Sequence, residues 1–358
     1  MADENSKVVA KVERAWPSVM SLVGSTTALI GLFASIAGGI TWLVSHHRHS
    51  TELQSKLALA QAQAKQREYQ AAMESYGAIL KEDPLYRPAI DQQLDTAFLW
   101  VENFSVLIRE GQNASDLAGP QLDQLMGILD SGLTRTKGTQ LADVQAHIGW
   151  AHWLNQHIAE REFGNAAEQN LHAALETDPS NVYANAMLGN WELQNGGSLE
   201  DAIQRFHIAL KTGRARPFVR SLQLGGLIHL ERKGARAEAV KVANDMRKSG
   251  ESLDPQIKAR IVGFCFDPVV TDHEELSESL TAAPPEEVWQ TYLWLEDVPG
   301  ASQDRALVHD FINANLLETG GKRQDSFAKY RELQQKLKGS SGAMKDSTDA
   351  AVARLSKR

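Results

Sequence analysis

The sequence predicts an all-α protein in which one N-terminal transmembrane helix precedes an α-solenoid of stacked helical hairpins. Three observations lead to this prediction. Positions 15–47, 33 residues in all, contain no Asp, Glu, Lys or Arg, although charged residues make up 23% of the chain. The rest is rich in Ala, Leu, Gln and Glu, which favour helices, and lacks the alternation typical of strands. Small and bulky residues also recur there at fixed spacings.

These features divide the chain into five parts. They are an N-terminal segment (1–16), a transmembrane helix (17–45), a linker (46–52), an α-solenoid (53–340) and a flexible basic tail (341–358).

The apolar centre of the uncharged stretch runs from Val19 to Val44. As a helix it would be ~39 Å long, which exceeds the ~30 Å hydrocarbon core of a bilayer. Trp16 and Trp42 lie near its two ends, where aromatic rings favour the headgroup zone. We therefore expect residues 19–44 to contact the lipid bilayer as a single span.

Two alternatives to a retained span fit the segment less well. Ser35-Ile36-Ala37 resembles the cleavage site of a signal peptide, but apolar sequence continues through Val44. A buried soluble helix would have to be longer than ordinary core helices. A retained membrane anchor therefore accounts for the segment best.

Small residues inside the predicted span step by four, three, four and three positions, so they form one stripe along a helix. Such a stripe allows close packing in lipid, by self-association or with a partner's helix, although Gly and Ser are also common in membrane spans generally. The residues of the stripe are Gly24, Ala28, Gly31, Ser35 and Gly38.

The charges flanking the span bear on its orientation. Lys7, Lys11 and Arg14 precede it, whereas Arg48 and Lys56 follow closely. Because cytoplasmic flanks carry the excess of Lys and Arg, this balance favours a cytoplasmic N-terminus. The expected location is the plasma (inner) membrane, with the solenoid extracytoplasmic or periplasmic.

Composition and motif searches exclude several classes of function. The net charge of −8 argues against general nucleic-acid binding. Cys265 is the one cysteine, which permits neither an internal disulfide nor a cysteine zinc site. The sequence has no phosphate-binding loop, zinc-protease motif or nucleophile elbow. We therefore expect no cofactor, no metal and no catalysis.

The recurring pattern is clearest as steps of four, three and five residues. It occurs in full twice and for three positions once more, and a Leu-Gly or Ile-Gly pair lies upstream of several copies. The copies are Ala72-Tyr76-Ile79-Pro84, Ala167-Leu171-Ala174-Pro179 and Ala202-Phe206-Ala209, with pairs at Ile148-Gly149, Leu188-Gly189 and Leu224-Gly225.

This pattern resembles the tetratricopeptide repeat (TPR), a pair of antiparallel helices. The resemblance implies that Gly189 and Gly225 let the two helices of a hairpin approach, while Leu171 or Phe206 fills the space between repeats. The clearest repeats are 53–86, 142–181, 182–217 and 218–255, with a weaker one at 307–340; 87–141 and 256–306 are expected to be degenerate helical segments. The second unit carries about six extra residues around Glu160-Arg161-Glu162-Phe163.

TPR arrays generally bind an extended peptide or a partner's helix on the face formed by the first helix of each repeat. The register of the resemblance therefore implies partner-binding roles for some first-helix residues, with packing between helices as the alternative for each aromatic. These residues are Trp150, Trp153, Tyr183, Asn190, Leu193 and His229. Ala186 stands where a carboxylate-binding Lys would be expected, which argues against recognition of a charged chaperone tail.

Charge is distributed in blocks along the solenoid. Residues 205–260 contain 13 basic and five acidic residues, whereas 261–304 contain ten acidic residues and no Lys or Arg. These blocks could attract one another within the stack, or the acidic block could dock a charged partner.

Together these features predict a membrane-tethered, non-enzymatic adaptor that binds partner proteins or peptides, similar to the bacterial envelope TPR proteins. The alternative is a regulatory or sensory subunit of a membrane-associated enzyme or signalling complex, in which the small-residue stripe passes a signal to a partner helix.

Overall fold

The computed structural model describes residues 50–106, 113–228, 230, 232–267, 273–297 and 305–357. The predicted span (17–45), its stripe of small residues and His229 lie outside the described residues. None of the helices that the structure does describe is both long enough and apolar enough to cross a bilayer.

All regular secondary structure in the described ranges is helical, which confirms the all-α prediction. Helix α1 covers residues 50–65. The next seven helices are α2 (Tyr69–Glu82), α3 (Arg87–Glu102), α4 (Ala114–Leu133), α5 (Thr139–His157), α6 (Ala166–Thr177), α7 (Val182–Gln194) and α8 (Leu199–Leu210). The remaining helices are α9 (Arg216–Leu227), α10 (Ala235–Lys248), α11 (Pro255–Phe266), α12 (His273–Leu280), α13 (Pro285–Glu296), α14 (Arg305–Thr319), α15 (Arg323–Lys336) and α16 (Ala343–Ser356).

The chain divides into two compact units, one ending at Trp100 and the other beginning at Val101. In the first unit α1 and α2 form an antiparallel hairpin. Lys56 Nζ, near the start of α1, lies 2.5 Å from Glu82 Oε1 at the end of α2. Tyr76 is buried in this hairpin, and the Thr96 hydroxyl on α3 donates to the Tyr76 oxygen at 3.4 Å.

In the second unit the hairpins α5–α6 and α7–α8 repeat one packing arrangement. A Cβ placed on Gly149 of α5 would lie 2.9 Å from the Ala167 carbonyl oxygen of α6. A Cβ on Gly189 of α7 would lie 3.3 Å from the Ala202 carbonyl oxygen of α8. Each glycine therefore lets its own hairpin close, as the pattern of small residues predicts.

Helix α9 departs from this arrangement and corrects the role expected for Gly225. A Cβ on Gly225 would meet nothing within 4 Å. The following residue, Gly226, faces the preceding first helix, since its Cβ would lie 2.7 Å from Leu193 Cδ1. The close approach in this repeat is therefore between α9 and α7.

The extra residues between α5 and α6 form a connection that returns to α4. Arg161 Nη1 lies 2.6 Å from Asp123 Oδ1. The same guanidinium covers Gly119, where a Cβ would approach Arg161 Nη2 to 2.5 Å. The insertion thus ties the α5–α6 hairpin to the preceding helix.

The basic and acidic blocks attract one another within the second unit. Arg236 of α10 pairs with Glu275 of α12 at 2.8 Å, and Lys248 pairs with Glu287 of α13 at 2.7 Å. Glu278 accepts a hydrogen bond from the Gly234 backbone amide at 2.8 Å. These three carboxylates of the acidic block are engaged inside the chain, which favours the first of the two expectations over an acidic docking surface.

The expectation of a flexible tail at 341–358 is wrong for most of that segment, because Ala343–Ser356 forms α16. Ala351, Val352 and Leu355 are buried. Gln334 of α15 donates to Asp349 at 2.7 Å, which attaches α16 to its neighbour. The Ser, Gly and Ala content resembled that of a linker, but apolar side chains at helical spacing make the segment an amphipathic helix.

Candidate partner-binding surface on the first helices

An aromatic ladder runs along one side of α5. The rings of Trp150 and Trp153 stack with centroids 4.3 Å apart, and Trp153 stacks on His157 at 4.2 Å. Their spacing of three and four residues places them on one helical face. Burial decreases along the ladder, because Trp150 is buried, Trp153 is half-buried and His157 is exposed.

Tyr183, at the start of α7, is at the centre of a second group. Its ring lies edge-on to His147 at 4.4 Å and 6.0 Å from the ring of Phe218 on α9. The Arg214 guanidinium carbon stands over the Tyr183 ring, 5.0 Å from its centroid. We call Tyr183, Arg214 and Phe218 the first-helix cluster. All three side chains remain at least partly accessible to solvent.

Buried polar groups hold this cluster in place. His147 Nδ1 lies 2.7 Å from the Asp143 carbonyl oxygen, and His147 Nε2 lies 3.2 Å from Glu102 Oε1. Both imidazole nitrogens therefore lie within hydrogen-bond distance of an oxygen atom, which fixes the orientation of the His147 ring. This bond joins Glu102 to α5 within the second unit, next to the Tyr183 ring.

The Asp143 carboxylate joins α5 to the residues just before α7 and to the segment before α9. Its Oδ1 accepts from Asn181 Nδ2 at 2.7 Å, and its Oδ2 accepts from Arg214. Asn181 is the N-cap of α7, and its own Oδ1 accepts from the Ala184 amide at 2.9 Å. One buried carboxylate thus positions the start of α7 and the segment before α9.

The electrostatic surroundings keep Tyr183 in its neutral form. Burial raises the pKa of Tyr183 above its usual value, and the negative charge of Glu102 raises it further. The hydroxyl is therefore a hydrogen-bond donor over the physiological pH range.

Replacing Asp143 by alanine should lower the free energy of unfolding by about 2 kcal/mol, because it leaves Asn181 Nδ2 and Arg214 without their shared acceptor. Chemical denaturation would measure this loss. Asp123→Ala is the matched control, since its ion pair with Arg161 is exposed and should contribute about 0.5 kcal/mol or less. Equal losses for the two variants would contradict the role given to Asp143.

Glu251, after α10, forms an acid-sensitive link to α9. It accepts from Arg216 Nε at 2.9 Å and from the Ser249 hydroxyl at 2.6 Å. Burial alone would raise the pKa of Glu251, but the hydrogen bonds from Ser249 and Arg216 outweigh it and lower the pKa below its usual value.

A lowered folded-state pKa means that this link stabilises the protein fully above the usual Glu pKa and is lost as pH falls through the lower value. Thermal denaturation between about pH 6 and pH 3 should therefore show that wild type loses roughly 1 kcal/mol more than Glu251→Gln over this range. Parallel pH profiles for the two proteins would rule out this contribution.

Three of the residues that the sequence predicts to contact a partner do not lie on an accessible surface, and the structure corrects this expectation. Trp150, Asn190 and Leu193 are buried. Asn190 Nδ2 donates to the Leu222 carbonyl oxygen at 2.8 Å, so its amide bonds the next repeat of the same chain. Leu193 packs against Gly226. These residues pack the first helices together, which leaves Trp153 and Tyr183 as the accessible members of the predicted set within the described residues.

Sequence reasoning missed Arg214, Phe218, Asp143 and Glu102. Only Asp143 had a detectable signal, because it lies between the apolar residues Ala142 and Val144 and one helical turn before His147, and a polar residue in such a setting needs a partner. The pairing of His147 with Glu102 spans 45 residues, and no local pattern in the sequence predicts it.

Comparisons with known proteins found matches only among solved structures. No protein-family model and no curated protein matches the sequence. Among solved structures, the chain is similar to a tetratricopeptide repeat protein from Parabacteroides merdae ATCC 43184, with a TM-score of 0.38 and 11% sequence identity. The match covers 86% of this chain and 99% of that protein.

Proposed function

We propose that this protein is a membrane-tethered, non-enzymatic scaffold that binds a partner protein or peptide through the first-helix cluster. The observation that carries the proposal is the arrangement of Tyr183, Arg214 and Phe218. Three residues from two successive repeats form one partly exposed aromatic and cationic patch, whose position is set by the buried Asp143 carboxylate beneath it.

This composition suits protein recognition. Aromatic side chains and Arg are enriched at the centres of protein interfaces, because they combine a large contact area with hydrogen-bonding capacity. The buried supports also reduce the freedom that Tyr183 and Arg214 would lose on binding, which favours affinity.

The membrane anchor in this proposal is the uncharged segment that includes residues 19–44. Its length and its flanking tryptophans support a single span, and its stripe of small residues supports packing with a partner helix or a second copy. Tethering would raise the local concentration of the binding surface for partners in the same membrane.

The proposed location is the plasma (inner) membrane, with the helical repeats on the extracytoplasmic side. The three basic residues before the span, against two after it, support this orientation. Fusions to a reporter that is active only outside the cytoplasm would test it. The reporter should be active both after Ser50 and after Arg358. Activity of a cytoplasmic reporter at either position would reverse the assignment.

The binding proposal predicts that Phe218→Ser lowers partner recovery at least about fivefold in affinity purification from membranes, because it removes an aromatic anchor worth at least ~1 kcal/mol. Phe163→Ser is the matched control, since Phe163 is exposed on the α5–α6 connection, outside the cluster. A photo-crosslinker at position 218 should capture the same partner. Full recovery with a Phe218→Ser variant of native helix content would overturn the proposal.

A further inference from the structure

The first unit carries an exposed apolar turn. This turn lies at the end of the α1–α2 hairpin that contains the start of α1, and α1 follows the predicted span in the sequence. This turn joins α2 to α3 and contains Pro84, Leu85 and Tyr86. Leu85 is the most exposed large hydrophobic side chain in the described part of the protein, with 83% of its surface accessible.

The antiparallel hairpin determines which end of the first unit carries this turn. Helix α1 begins near the predicted span, its far end meets α2 through residues 66–68, and α2 then returns. The contact of Lys56 with Glu82 places the end of α2 beside the start of α1. Leu85, three residues later, therefore lies at the same end of the hairpin as the start of α1, which is the end nearest in sequence to the predicted span.

The number of residues between the predicted span and α1 limits how far this end of the hairpin can lie from the lipid. The predicted span ends at residue 45 and described helix begins at residue 50, so five residue steps separate them. Even a fully extended chain of that length covers only about 17 Å. The α2–α3 turn is therefore within reach of the headgroup layer.

Another repeat shows that the fold of this turn does not require leucine. Asp83-Pro84-Leu85 corresponds to Asp178-Pro179-Ser180 between α6 and α7. The Leu85 amide donates to Asp83 Oδ1 at 3.0 Å, and the Ser180 amide donates to Asp178 Oδ1 at 3.0 Å. The same turn thus carries a polar residue in the second unit and an exposed leucine in the first.

The neighbours of Leu85 also suit an interface with lipid. Tyr86 is only partly exposed, and tyrosine favours the headgroup zone. Arg87 and Lys81 are exposed and can extend towards phosphate groups. Two nearby acidic residues are already engaged, since Glu82 pairs with Lys56 and Asp83 accepts from the Leu85 amide.

We propose that the α2–α3 turn docks on the bilayer surface, with Leu85 inserted among the lipid headgroups and upper acyl chains. The contact gives the first unit a second attachment besides the span and so limits how the hairpin tilts relative to the membrane. This inference rests on the proposed anchor, because without it nothing would hold the turn near lipid.

Fluorescence quenching in vesicles tests the contact. The full-length chain would be reconstituted into phosphatidylcholine–phosphatidylglycerol vesicles, with bimane attached to Leu85→Cys or to Glu68→Cys at the opposite turn. Cys265 is buried, and the unsubstituted chain treated in parallel reports any background labelling. Headgroup nitroxide lipids should quench position 85 at least about threefold more than position 68, because α1 separates the turns by ~24 Å.

A second pair of variants tests the leucine itself. Bimane at Arg87→Cys would be measured with Leu85 retained or replaced by the serine found at position 180. Leu85→Ser should reduce quenching about twofold or more, since it removes the apolar side chain that favours insertion. Circular dichroism would verify that both variants keep their helix content.

The outcomes separate this inference from the anchor. A chain that alkaline carbonate releases from the vesicles would overturn the anchor and the docked turn together. A retained chain with equal quenching at positions 85 and 68 would overturn the docked turn alone. The docked turn would also be overturned if bimane at position 85 were shielded from water but unaffected by nitroxide lipids, because a protein surface would then cover the turn.

Discussion

Replacing Gly149 by alanine should lower the free energy of unfolding by about 2–3 kcal/mol, although alanine is the better helix former. The added methyl group would lie 2.9 Å from the Ala167 carbonyl oxygen and 2.9 Å from Leu171 Cγ. The backbone oxygen cannot rotate away as a side chain can, so α5 and α6 must move apart. The loss would be measured by chemical denaturation, with hydrogen exchange to locate it in this hairpin.

Gly225→Ala is the matched control for Gly149→Ala. Gly225 also lies in a first helix and also follows a leucine or isoleucine in the repeat pattern, but a Cβ there meets nothing within 4 Å. Alanine should therefore stabilise α9 by up to about 1 kcal/mol through its helix propensity. A destabilised Gly225→Ala, or a Gly149→Ala variant as stable as wild type, would show that the hairpin geometry described above is wrong.

A chain that ends at residue 341 should be the second strongly affected variant. It loses α16, which buries Val352 and Leu355 and holds Glu318 of α14 through Arg354 at 2.7 Å. The removed apolar contacts correspond to about 3 kcal/mol. Amide hydrogen exchange should report the loss as faster exchange in α14 and α15, which α16 would no longer cover.

The control truncation ends at Ser356 and removes no buried apolar side chain of α16. It should leave the exchange rates of α14 and α15 unchanged. If the chain ending at residue 341 exchanged as slowly as this control, the segment would behave as the unattached tail that its composition first indicated.

The contrast between the tail and the repeats shows what limits prediction from the sequence. The α5–α6 and α7–α8 hairpins were predictable because Gly149, Leu171, Gly189 and Phe206 occupy fixed positions in a repeated pattern. The tail was not, because Val352 and Leu355 lie among Ser, Ala and charged residues with no second copy of the pattern for comparison. Repetition in the sequence compensates for weak local signals.

The candidate site was predictable only in part for a different reason. Register alone places Trp153 and Tyr183 on the first-helix face, and both are partly accessible. It placed Asn190 there as well, but that amide bonds the Leu222 carbonyl of the next repeat. Register predicts which way a residue points, whereas burial depends on the distance to the next hairpin.

The sequence by itself determined that the chain folds as paired helices and that a long uncharged segment precedes them, because helix propensity, hydropathy and the spacing of small residues are local properties. Only the tertiary structure decided which polar groups meet. Residues 38 to 71 positions apart meet in the His147–Glu102 bond, in the bonds of Asp143 to Asn181 and Arg214, and in the ion pairs between α10 and the acidic helices. Partners at such separations are brought together by the packing of successive repeats.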